Sequence, residues 1–75
     1  VPKERQGTIL MNMIYSEQEQ AWKSHPELHD FKGDLIISGL LKKHKKKSIE
    51  FWKEYGWNFH TLIAKGEWIL IHFKR

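Results

Sequence analysis

The sequence predicts an α+β domain with an N-terminal strand or short helix, a long amphipathic helix over about 35–55 and a C-terminal antiparallel β-hairpin over 57–73. Three observations carry this. On a helical wheel, Ile37, Leu40, Leu41, His44, Ser48, Phe51, Trp52 and Tyr55 fall within one arc of about 120°, with the lysines opposite. Two runs rich in aromatic and β-branched residues, Trp57–Ala64 and Glu67–Phe73, flank Lys65-Gly66, a two-residue turn of hairpin type. Ser16–Glu19 has the S-x-x-E form of a capping box, and Pro26 ends the short helix it would open.

The elements follow in order. Val1–Gly7 is polar with Pro and Gly and reads as a disordered lead-in, leaving one domain over 8–75. Thr8–Tyr15 fits a half-buried strand better than a helix, because the capping box marks a fresh helix start at 17. That helix runs to about 24, and His25–Gly33 connects it to the long one with Leu28 and Phe31 as anchors. Asp34 suits the N-cap of the long helix, and Gly56 suits the left-handed position after its last turn. Leu35 and Ile49 are misfits on the wheel. A break near Lys46–Lys47, with Ser48 capping a second helix, gives the alternative: a winged helix with the hairpin as wing.

Pairing across Lys65-Gly66 sets Ile63 beside Trp68, Thr61 beside Leu70 and Phe59 beside His72 on one face. The other face pairs Leu62 with Ile69, His60 with Ile71 and Asn58 with Phe73. Neither face is polar throughout, so one is expected to meet the helix and the other to be covered by the N-terminal segment or a partner.

The chain has 75 residues, no cysteine, and four Trp, four Phe and two Tyr, so aromatic burial must replace disulfides in a thin core. The absence of thiols fits a reducing, intracellular setting, cytoplasmic or nuclear. No apolar run approaches the roughly 18 residues of a membrane-spanning helix, so no membrane partner is expected. The net charge of +4 is uneven. Residues 1–41 carry four basic against six acidic side chains, net −2, whereas residues 42–75 carry nine against three, net +6.

That asymmetry points to an anionic partner. Lys42, Lys43, Lys45, Lys46 and Lys47, extended by Lys53, Lys65, Lys74 and Arg75 if the hairpin tip or end lies alongside the helix, would neutralise phosphates of DNA or RNA and release counterions. The positive half has one arginine, and arginine dominates specific base reading, so backbone binding is expected over sequence recognition. Exposed Trp57, Phe59, Trp68 or Phe73 could stack on bases, but with few aliphatic residues they read first as core. The second functional class is a protein-interaction or inhibitor module that docks, or self-associates, through the apolar hairpin face.

Catalysis and metal binding have weaker support. His60 and His72, with Glu67 and Lys65, are the available acid–base groups, yet the expected register puts the two histidines on opposite faces. His25 and His29 have H-x3-H spacing near Glu27 and Asp30, but Pro26 lies between them and no third nitrogen ligand is evident. The chain therefore reads as non-enzymatic, with no cofactor and no metal.

Overall fold

The computed structural model describes residues 6–75. The chain forms β1 (Gln6–Asn12), α1 (Tyr15–Ser24), a 3-10 turn at Pro26–Leu28, β2 (Lys32–Leu41), a 3-10 turn at Lys42–His44, α2 (Lys45–Glu54), β3 (Asn58–Lys65) and β4 (Trp68–Lys74). The strands make one mixed sheet in the order β1-β2-β4-β3. β1 runs parallel to β2, and β4 is antiparallel to both β2 and β3.

The α+β class holds, but the helix expected over 35–55 does not form. Its first half is β2, and α2 begins only at Lys45. Leu35, Ile37 and Leu40 are buried on one side of β2, with a bulge between Ile37 and Leu40 restoring the alternation. The misfit Leu35 was the discordant signal: it is fully buried, as a strand permits and the helical wheel did not. The winged-helix variant goes with the long helix, since it needs helix on both sides of Lys46–Lys47. Asp34 caps no helix; it sits in β2 opposite Lys74 and bonds His72.

Of the lead-in expected over 1–7, residues 1–5 lie outside the described residues, while Gln6 and Gly7 open β1. The N-terminal region holds both a strand and a helix. The capping box does not form: α1 starts at Tyr15 without a side-chain cap, and Glu19 instead accepts from the Tyr15 hydroxyl at 2.8 Å. Gln18 Nε2 donates to the Met13 carbonyl at 2.6 Å, tying the helix to the end of β1. Gly56 takes φ +87 just after α2, as its sequence position predicts.

Both helices pack on one face of the sheet. Trp22 of α1 and Trp52 of α2 meet edge to face, with centroids 5.1 Å apart, above Leu35, Ile37, Leu40, Ile71 and Phe73. Trp57, on the short link into β3, completes an aromatic core in which all three indoles are fully buried.

Arg75 closes this core at one end. Its guanidinium donates from Nε to the Phe31 carbonyl at 2.8 Å, from Nη2 to the carbonyls of His29 at 2.8 Å and Phe31, and from Nη1 to the Tyr55 carbonyl. It also lies 4.4 Å from the Trp57 ring centroid. One side chain thus pins the connection after α1 to the end of α2. Burial lowers its pKa from the ordinary arginine value, opposed by the charge of Asp30. Lysine carries one charge but no planar fork, so Arg75→Lys is expected to cost about 2 kcal/mol, readable in a urea melt.

Candidate interaction surfaces

The expected lysine set is divided among several elements. Lys42 and Lys43 lie in the 3-10 turn, Lys45, Lys46 and Lys47 form the first turn of α2, Lys53 is in its last turn and Lys65 ends β3. At 1.5 Å per residue Lys53 stands about 12 Å along the axis from Lys45, so it belongs to a different part of the surface. Lys42, Lys43 and Lys45–Lys47 follow one another from the 3-10 turn into α2, whereas Lys65 pairs with Trp68 on the hairpin. The Lys42 N–H donates to the Glu67 carbonyl at 2.9 Å, which sets the 3-10 turn against the hairpin tip. Leu41, Lys42, Lys43 and Glu67 line a shallow depression there of about 270 Å³. Lys47 Nζ sits 5.7 Å from the Tyr15 ring centroid. Lys74 and Arg75 do not extend the patch: Lys74 approaches Asp34 at 4.0 Å, and Arg75 serves the internal clamp.

The first turn of α2 holds three lysines and no acid, against the positive end of the helix dipole. Lys46→Glu is expected to stabilise the domain by about 0.5 kcal/mol in thermal melts at low salt, with the gain shrinking as salt is added.

The aromatic residues divide cleanly. Trp57 and Phe73 are core, while Phe59 and Trp68 are exposed. His29 stacks on Trp22 with centroids 4.5 Å apart and contacts its carbonyl at 2.9 Å, and His25 pairs with Glu27 at 3.2 Å. Among the described residues no group of three or more His, Asp or Glu could hold a metal ion.

The hairpin differs from expectation in two ways. Its turn is Gly66-Glu67, so Lys65 pairs with Trp68, Ile63 with Leu70 and Thr61 with His72. The register is shifted by two residues, which preserves the two faces. A bulge between Phe59 and Thr61 then breaks the alternation and brings His60 onto the same face as His72, with ring centroids 5.0 Å apart. The histidines expected on opposite faces are therefore neighbours, and His72 Nε2 lies 2.7 Å from Asp34 Oδ1.

The sheet face away from the helices is bare among the described residues. Alternation places Leu10 of β1, Ile36 and Leu41 of β2, Leu70 and Trp68 of β4, and Ile63 of β3 on it. Leu10 is 73% exposed, Ile63 62% and Trp68 52%. Asp34, His72, His60 and Thr61 form its polar end. Residue composition announced two apolar faces on the hairpin, but the share of β1 and β2 in the bare face was hidden by reading 35–41 as helix.

No protein-family model matches the chain, and no curated protein matches it either. No helix among the described residues is long and apolar enough to cross a membrane.

Proposed function

We propose that this domain is a non-catalytic protein-interaction module that docks through its bare sheet face. The observation that carries the reading is the exposure of Leu10, Ile63 and Trp68 on a face already bordered by the half-buried Ile36 and Leu70. A small monomer rarely leaves this much clustered apolar surface in water. Trp68 is the natural anchor, since a large aromatic with a polar N–H combines buried area with a hydrogen bond at low entropic cost. Site-specific photo-crosslinking tests it. A crosslinker replacing Ile63 is expected to capture a discrete polypeptide, lost on Trp68→Ser, while one replacing Lys46 captures none. Capture at 46 and not at 63 would overturn the reading.

A second reading rests on the lysine cluster, whose placement in the first turn of α2 is unfavourable without a nearby anion. In it, Lys42, Lys43, Lys45, Lys46, Lys47 and Lys65 grip the backbone of DNA or RNA. It predicts anisotropy changes of a labelled duplex or single strand that fall steeply with salt and vanish when Lys42, Lys43 and Lys45–Lys47 are all alanine. Binding that survives those substitutions, or none at low salt, would end it.

A further inference from the structure

The bulge at His60 assembles a cluster that the docking reading does not use. β4 runs between β2 and β3, and its His72 has Ile36 of β2 as partner on one side and Thr61 of β3 on the other. The extra residue in β3 sets the His60 ring against the His72 ring, with centroids 5.0 Å apart and planes at 77°. From the opposite side Asp34 of β2 places Oδ1 2.7 Å from His72 Nε2. Two imidazoles and a carboxylate, from three adjacent strands, thus meet on the bare face.

The state of each group follows from its partner. An ionised carboxylate only accepts, so the neutral His72 ring donates from Nε2–H to Asp34 and keeps a lone pair on Nδ1. The two ring nitrogens diverge, so Nδ1 is turned away from Asp34, and His60 stands on the strand beyond β4. Metal-bound histidines are held in this way: the second nitrogen donates to a carboxylate, which fixes the tautomer and raises the basicity of the ligating atom. The ring spacing agrees. With metal–nitrogen bonds of about 2.1 Å each centroid lies about 3.2 Å from the ion, and two rings at the tetrahedral angle have centroids about 5.2 Å apart. His60 and His72 already stand at 5.0 Å. Asp34 Oδ1 also faces Lys74 Nζ at 4.0 Å, so it acts behind the imidazole and not as a ligand.

We propose that His60 and His72 form a two-histidine site for a divalent transition metal ion, with Asp34 as the positioning residue behind His72. Imidazole selects copper(II), nickel(II) and zinc over magnesium and calcium, and copper(II) binds tightest. Two protein nitrogens leave the remaining coordination positions to water. The proposal goes beyond the docking reading and stands or falls without it. The pair is invisible in the sequence, where the expected register separates the two histidines.

The test is a calorimetric titration of the protein with copper(II), read beside the EPR spectrum of the bound ion. The expected result is one saturable site per chain with the hyperfine pattern of two imidazole nitrogens. That pattern is lost in His60→Ala and in His72→Ala. His60 is exposed, so its variant keeps the fold, and a thermal melt checks both. Asp34→Asn is expected to keep the two-nitrogen spectrum and weaken binding about ten-fold. Zinc competes for the site and magnesium does not. His25, His29 and His44 remain in every variant as internal controls. Copper binding that is unchanged in His60→Ala and His72→Ala would assign the ion elsewhere in the chain and overturn the proposal. So would the absence of saturable binding, or equal affinity for magnesium. Unchanged affinity in Asp34→Asn would overturn the positioning role of the carboxylate.

Discussion

Trp52→Ala is expected to leave the domain largely unfolded at 25 °C. Trp52 is fully buried and touches Trp22 at 5.1 Å, Phe51 at 4.9 Å and Phe73 at 6.4 Å between ring centroids. Truncating a core Trp to Ala typically costs about 3–5 kcal/mol, as lost transfer energy plus an unfilled cavity. At about 0.05 kcal/mol per residue, a domain of this length has roughly 4 kcal/mol to lose, so the substitution removes most of it. Far-UV circular dichroism and amide dispersion report the result directly. Trp52→Phe keeps a ring in contact with Phe73 and should lose about half as much. A cooperative melt near the parent's temperature in the alanine variant would mean that the aromatic core does not hold the helices to the sheet.

Gly33→Ala is the second large effect, through backbone alone. Gly33 adopts φ +125, a conformation that L residues seldom adopt, and a Cβ there would lie 2.2 Å from the Gly7 carbonyl oxygen and 3.0 Å from the Gly7 nitrogen. Gly7 and Gly33 are register partners, so neither backbone can retreat without opening the parallel ladder. Gly33 also exchanges two main-chain bonds with Arg75, at 2.9 and 3.0 Å, so the strain reaches the guanidinium clamp. The expected loss is about 3 kcal/mol or more, from strain and broken pairing together, with hydrogen exchange quickening first in β1. Gly66→Ala is the control. It has φ +61 but nothing within 4 Å of a Cβ, so it should cost only about 1 kcal/mol. Equal losses at the two positions would show that the close approach to Gly7 is unimportant.

The difference between expectation and structure comes from particular residues. The hairpin was legible because aromatic and β-branched residues surround a glycine turn, and Pro26 and Gly56 act locally wherever they stand. Leu-Ile-Ile-Ser-Gly-Leu-Leu over 35–41 was not, because it is apolar on both sides and satisfies a period of 2 as well as 3.6. Its partner β1 is more than twenty residues away, and no local signal announces a parallel pairing. Ser38 and Gly39, weak helix formers, and the misfit Leu35 were the available warnings. The bulge at His60 left no trace in composition, so the neighbouring of His60 and His72 was hidden. The lysine cluster was visible from the start, but its geometry changed with the helix: a long charged face became a strand end, a short turn and a helix start.

Trp68 offers the most direct test of the central claim, because the other three tryptophans are fully buried and it alone is open to a quencher. The measurement is acrylamide quenching of tryptophan fluorescence with the polypeptide captured at position 63, across a salt titration. The docking account predicts that the partner shields Trp68, that shielding persists as salt rises, and that alanines at Lys42, Lys43 and Lys45–Lys47 leave it unchanged. Quenching unaltered by the partner, or shielding that disappears with salt and with those lysines, would contradict it.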